Sequence, residues 1–428
     1  MVARKGRHRT AAAWPLISGR HPAGRVTKWP SRPRSLADLP VSKEQRGGRL
    51  SSGTAPPSRG RAAGRQARPG TVSNSRNPSS CAERTFVQLS SASEQTIAQK
   101  GGPVRIAVLA TGGTIASRRE PDGTLAVADS VAELLAHVPD LAGIDIRGFD
   151  LSCRPSFTLT LDDMLDTVRA VRTKLAEGFA GVVVTHGTDT LEEAAYLTSQ
   201  LTGRDARVAL TGAQRGADEP DSDAGRNLMD AIRVVTAAEP VGVAIVLGGV
   251  ACAAVEGRKV HTSAVSAFSG GSAGALALVD HDGVLRLSAS ARGGHYADRP
   301  VPDRLPRVDL VKLVAGADDT HLRASLRAGA EGLVVEAFGA GNAPQSVAEA
   351  VRDADKRGVP VVITSRTGAG RVRPIYSGGG ADLAQAGALF AGDLTGSQAR
   401  VALALALAID GPDAVPAALR NLVEGRRP

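Results

Sequence analysis

The sequence predicts an α/β protein: a larger N-terminal parallel-sheet domain and a smaller C-terminal parallel α/β domain, preceded by a disordered basic tail. Three observations carry this. From Val104 onward, short β-branched runs alternate with longer segments of helical periodicity, the rhythm of a parallel sheet covered by helices on both faces. The rhythm is interrupted by HYADRPVPDRLPRV (295–308), which holds three prolines and no period. The first hundred residues, rich in Arg, Pro, Gly and Ser, contain no apolar pattern long enough to bury a face, so ordering entropy should win there. The expected division is 1–102 tail, 103–295 larger domain, 296–308 linker and 309–428 smaller domain.

VRIAVLA (104–110), GVVVT (181–185), RVALT (207–211) and VGVAIVL (241–247) read as strands, because each is a nearly continuous apolar run bounded by Gly or polar residues. Helices fit between them. In LTLDDMLDTVRAVRTKLAEG (159–178), Met164, Leu165, Val168, Val171 and Leu175 fall on one helical face, with Thr160 as N-cap and Gly178 as stop. LEEAAYLTSQL (191–201) and DAGRNLMDAIRVVTAA (223–238) read as further crossovers. Beyond the linker, LVKLVAG (310–316), GLVVEAFG (332–339) and GVPVVIT (358–364) read as strands, with helices near 319–329, 345–357 and 396–410. No internal repeat of 20–50 residues is present.

Composition narrows the function classes. At 428 residues and 42% hydrophobic content the chain can build two substantial cores. The uncharged apolar stretch from Pro240 to Val255 has 16 residues and contains glycines, short of the roughly 20 apolar residues a spanning helix needs. Cys81, Cys153 and Cys252 show no CxxC spacing and no accompanying histidines, which argues against a zinc site or a disulfide scaffold. The net charge of +9 divides unevenly: residues 1–100 hold 19 Lys+Arg against 4 Asp+Glu, a net of +15, and residues 101–428 hold 33 against 39, a net of −6. The basicity belongs to the tail. An arm for RNA or membrane phosphates is one reading of it; an inert extension is the plainer one. Its only apolar piece, AAAWPLI, is broken by Pro15 and too short for a secretory core, so a cytoplasmic location is expected.

In an open parallel sheet the groups used for chemistry gather at the carboxyl ends of the strands. Three polar motifs occupy that position: TGGT (111–114) after the first strand, THGTDT (185–190) after GVVV and TGAQR (211–215) after RVAL. Gly112 and Gly113 let the backbone turn sharply and present N–H groups to a developing oxyanion. A threonine hydroxyl such as Thr114 or Thr188 needs a base within reach, and Asp189 and Lys259 are the candidates. On spacing alone Lys259 could equally be a surface lysine. The chain has no GxGxxG and no GxxxxGK[ST], which argues against a nucleotide fold. His186 has no GxSxG elbow beside it and reads as structural, and Asp162 and Asp163 read as helix-start charges.

IAVLATGGTIAS (106–117) and GVVVTHGTDTLEEAAY (181–196) together resemble the two signature segments of the bacterial-type L-asparaginases, threonine amidohydrolases that include glutaminase-asparaginases. The similarity extends from about Val104 to the C-terminus, through TGAQR, SDAGRNL, RKVHTSAVSAF and SRTGAG. The resemblance implies Thr114 as nucleophile and Thr188, Asp189 and Lys259 as a second catalytic constellation. It also implies Ser156 as the residue holding the substrate α-carboxylate, Asp189 as receiver of the α-amino group, and Gly113 at the substrate. Which threonine attacks first stays open. The substrate implied is a free amino acid, with no metal or cofactor, no membrane and no nucleic-acid partner, in a homo-oligomer, dimer or tetramer, whose sites lie where the larger domain of one subunit meets the smaller domain of another. Two departures stand out. SRREPDGTLAVAD (117–129) lacks the tyrosine often found after the first motif, and SRTGAGRVRPIYSGGG lacks an obvious match for the glutamate a neighbouring subunit lends. Hydrolysis of L-asparagine is the leading expectation. The amidase subunit of a tRNA-dependent amidotransferase and a catalytically silent amino-acid-binding protein are the alternatives.

Overall fold

The computed structural model describes residues 102–424, apart from 137, 140, 281–282 and 289–291. The expected basic tail, but for its last residue, lies outside the described residues.

The first unit begins with β1 (Val104–Ala110), followed by a small hairpin of β2 (Ser117–Arg119) and β3 (Leu125–Val127), and by α1 (Val131–Leu135). The chain then alternates through β4 (Ile144–Asp150), α2 (Leu161–Ala176), β5 (Gly181–Thr185), α3 (Leu191–Leu201), β6 (Arg207–Thr211), α4 (Ala224–Thr236) and β7 (Gly242–Leu247). Strands β8 (Val250–Ala253), β9 (Arg258–Lys259), β10 (Phe268–Ser269), β11 (Ala275–Asp280) and β12 (Gly283–Arg286) complete it. Eight of these strands form one sheet in the order β12-β11-β8-β7-β6-β5-β1-β4. Its β4-β1-β5-β6-β7 part is parallel throughout. Because β1 is flanked by strands that follow it on both sides, the strand order reverses there, and the crevice between β1 and β5 is the topological switch point.

The rest of the sheet departs from the parallel pattern: β8, β11 and β12 join antiparallel. The cause is local. Gly248 and Gly249 take φ of 58° and 76°, the pair of positive values a two-residue hairpin turn demands, and send the chain straight back from Leu247 to its partner Val250. Strand β4 is also not among the expected strands; its IDIRGFD is polar on alternate positions because it is an edge.

The second unit contains β13 (Val308–Lys312), α5 (Thr320–Arg327), β14 (Gly332–Ala337), α6 (Gln345–Asp355), β15 (Val361–Ser365), α7 (Gly380–Gln385), β16 (Leu389–Phe390), α8 (Gly396–Ile409) and α9 (Val415–Glu424). Its four strands are parallel in sequential order. Strand β13 starts two residues ahead of the expected LVKLVAG run, because Val308 is buried and pairs with Gly332.

The core explains the continuous apolar runs. Along β1, Ala107 and Leu109 face one cluster, which α2 and α3 cover with Leu165, Val168 and Leu197. Ile106 and Val108 face another, covered by Leu228 and Ile232 of α4. With both faces buried from Ile106 to Ala110, no position of that run can be polar; Arg105, at the start of the strand, is only half-buried and reaches out to the Glu177 carbonyl. The first cluster continues through Leu403 and Leu405 of α8 to Val334 and Val362 of the smaller sheet, so α8 lies between the two sheets and touches α3. Each fully buried leucine of this kind contributes about 1.5–3 kcal/mol.

Candidate active site

Strand register brings the expected motifs together. Ala110 pairs with Asp150 on one side and Thr185 on the other, and Thr185 pairs with Thr211. These four residues form one row across the sheet, so TGGT, LSCRPS, THGTDT and TGAQR all leave the carboxyl edge at the same level. Backbone and side chain fix the exits: Thr111 donates both its N–H (3.1 Å) and its hydroxyl (2.9 Å) to the Thr185 carbonyl.

The loops then touch. A Cβ on Gly113 would come within 2.4 Å of the Gly187 backbone, and one on Gly187 within 2.5 Å of Ser156 Oγ. Gly113 also holds φ 86°, a conformation that side-chain-bearing residues rarely adopt. The contact therefore requires glycine at both places. Immediately after Gly113, Thr114 opens a short 3-10 turn (Thr114–Ala116) and is half-buried. Immediately after Gly187 comes Thr188, which is buried. Ser156 is buried beside them, and its carbonyl accepts the Thr190 hydroxyl at 3.0 Å.

Lys259 reaches this place from 71 residues away in sequence. Its Nζ donates to Thr188 Oγ1 at 2.8 Å and to Asp189 Oδ1 at 2.9 Å. The lysine side chain is 18% exposed and that of Asp189 is 56% exposed. The hydroxyl is thus sheltered beside an amine, while the carboxylate opens outward, where it can meet a cationic group of a ligand. Strand β9 delivers the lysine: Lys259 pairs with Phe268 of β10, and Val260 N–H bonds the Ala267 carbonyl at 2.7 Å. An unprotonated Nζ in this position could take the Thr188 proton. Helix α3 starts just beyond Thr188–Asp189–Thr190, so its N-terminal dipole favours negative charge on these side chains.

The other singled-out residues have different roles. His186 is fully buried with Nδ1 2.8 Å from the Gly187 carbonyl oxygen, and burial pushes its imidazole pKa down, so it stays neutral. Its Nε2 has no hydrogen-bond partner among the described residues. Asp163 closes a capping box with Thr160, accepting the Thr160 N–H at 2.7 Å, and this bond lowers its pKa. Asp162 accepts the Leu305 N–H at 3.1 Å. Among the described residues no group of three or more His, Cys, Asp or Glu could hold a metal ion.

Residues 105–291 match the family described as Asparaginase, N-terminal, and residues 307–417 match the Glutaminase/Asparaginase C-terminal domain. The chain belongs to the asparaginase/glutaminase family. An L-asparaginase of Bacillus licheniformis is 36% identical over 71% of this chain and 95% of its own length. A glutamyl-tRNA(Gln) amidotransferase subunit of Methanothermobacter thermautotrophicus is 31% identical over 75% of this chain and 76% of its own length. A crystal structure of a probable cytoplasmic L-asparaginase from Campylobacter jejuni is 28% identical, superposes with a TM-score of 0.67 and covers 74% of this chain and 99% of that one.

Around the family's signature segments, sequence reasoning missed Glu192, Ser397 and Gln398. Glu192 Oε2 accepts the Lys259 backbone N–H at 2.7 Å, and Glu192 Oε1 accepts the Ser397 hydroxyl at 2.5 Å. The available signal was the Glu192–Glu193 pair directly after THGTDTL, read only as part of a helix. Ser397 carried none, since its partner lies 205 residues away.

Proposed function

We propose that this protein hydrolyses the side-chain amide of free L-asparagine to L-aspartate and ammonia through a threonine acyl-enzyme. The observation that carries the reading is the Lys259 amine shared between Thr188 Oγ1 (2.8 Å) and Asp189 Oδ1 (2.9 Å), beside the loop that bears Thr114. In this scheme a threonine oxygen attacks the amide carbon, and its proton passes to a neighbouring base. The tetrahedral oxyanion is stabilised by backbone N–H groups, and the C–N bond breaks as the leaving nitrogen takes up a proton and departs as ammonia. Water then cleaves the ester and restores the hydroxyl. Thr114 is the assigned nucleophile, with Thr188, Asp189 and Lys259 as the supporting triad. Gly113 and Ser156 line the substrate, with Ser156 on its α-carboxylate and Asp189 on its α-amino group.

The likeness to the Bacillus L-asparaginase over 95% of that protein supports the reading. Asparagine and glutamine differ by one methylene, a contrast worth about 1–3 kcal/mol in a pocket; we assign asparagine. We also assign a cytoplasmic homo-oligomer, a domain boundary within 296–308, and a catalytic larger domain.

A second reading, the amidase subunit of a tRNA-dependent amidotransferase, is favoured by the 31% identity to the Methanothermobacter protein, of which about three-quarters is matched. Purified protein incubated with L-asparagine alone separates the two. Ammonia release without tRNA or a partner supports the first reading; release only with glutamyl-tRNA and a partner subunit supports the second.

A further inference from the structure

The segment that carries Lys259 is gripped by one helix of the C-terminal unit. Gln398, in the first turn of α8 and wholly buried, donates Nε2 to the carbonyls of Ala254 (3.2 Å) and Gly257 (3.0 Å). Its Oε1 accepts the Glu256 N–H at 3.2 Å. Between those anchor points Glu256 holds φ 72°, a value a non-glycine residue keeps only where its surroundings impose it. Its buried carboxylate pairs with Arg292 and accepts the Ser272 hydroxyl. One residue before Gln398, Ser397 donates to Glu192, whose other oxygen receives the Lys259 N–H. Glu192 sits in the first turn of α3, which starts beside Thr188 and Asp189.

This grip answers a mechanical need. Lysine has a long flexible stem, so its amine is held in place only if its backbone is. Strand β9 has two residues and pairs with a two-residue β10, a ribbon too short to be stable by itself.

We propose that Glu192, Ser397 and Gln398 are positioning residues that set the Lys259 amine against Thr188, so that α8 of the C-terminal unit builds one side of the site. The inference rests on the reading of Lys259 as part of the amide-hydrolysing machinery, and its test separates the two. The full-length protein and its Glu192→Gln, Ser397→Ala and Ser397→Thr variants are treated with acetic anhydride, and acetylation rates are mapped lysine by lysine by mass spectrometry. Lys174, 17% exposed against 18% for Lys259, serves as the internal reference. The rates of L-asparagine hydrolysis are measured in parallel.

Lys259 acetylation should rise about tenfold in Glu192→Gln and Ser397→Ala with Lys174 unchanged, kcat should fall about tenfold with KM unchanged, and Ser397→Thr should keep wild-type values. An unchanged Lys259 rate in the folded variants, or a rise shared equally by Lys174, overturns the positioning role. A selective rise in a protein that releases no ammonia leaves the positioning in place and removes the hydrolytic reading.

Discussion

Lys259 Nζ lies 2.9 Å from Asp189 Oδ1 and 2.8 Å from Thr188 Oγ1, so one amine joins a sheltered hydroxyl to an outward-facing carboxylate. Removing that amine should cost the chemical step more than binding. Lys259→Met, which keeps the stem length, should lower kcat about 10²–10⁴-fold. Asp189→Asn should instead act chiefly on KM, because the open carboxylate is the group assigned to the substrate amine. Steady-state kinetics on L-asparagine check both, and equal effects of the two on KM would contradict the division of roles.

The two glycines at the loop contact should differ in their tolerance. Gly187→Ala brings a methyl to 2.5 Å from Ser156 Oγ, which can rotate away, and to 2.7 Å from its Cβ, which moves only with the backbone, at a cost of about 1–3 kcal/mol and with a raised KM. Gly113→Ala meets only backbone, at 2.4 Å, from a φ of 86°, and should be the more damaging of the pair. Urea unfolding midpoints of the two variants give the order directly.

Glu193, beside Glu192, has one fully shielded carboxylate oxygen without a partner among the described residues, and burial pushes its pKa up from 4.5 to about 7. Since the folded form binds the proton more tightly than the unfolded form, its contribution to stability is fully present below pH 4.5. It is lost as the pH rises towards 7. Glu193→Gln should therefore match wild type near pH 4 and exceed it at pH 8 by on the order of 1–3 kcal/mol. Denaturant titrations at the two pH values test this, and a variant less stable at pH 8 would refute it.

Deleting residues 1–100 should leave kcat, KM and the thermal midpoint on L-asparagine unchanged, since every residue assigned to the site lies beyond them. A truncated protein with altered kinetics would show that the basic segment reaches the site.

Much of the fold was legible because both faces of the parallel sheet are buried. Val182, Val183 and Val184 have no exposed position between them, and the resulting GVVVT run is unmistakable as a strand. The antiparallel extension was less so: the Gly248–Gly249 pair that makes it sits inside an otherwise uninterrupted apolar stretch, of which only 241–247 reads as a strand. Of the site, the loops that follow strands were readable from their hydroxyls and glycines, because strand ends are where a parallel sheet exposes such groups. The support behind Lys259 was not. Gln398 and Ser397 act through tertiary contacts across more than a hundred residues, and nothing local marks a glutamine in a helix turn as the clamp of a distant loop.

The central claim is tested most directly by ammonia release from free L-asparagine by the purified protein and by its Thr114→Ala and Thr188→Ala variants. The account predicts release by wild type and a loss of at least about a hundredfold in both variants, with each still folded. Wild-type turnover that survives either substitution, or a folded wild-type protein that binds asparagine and liberates no ammonia, would contradict it.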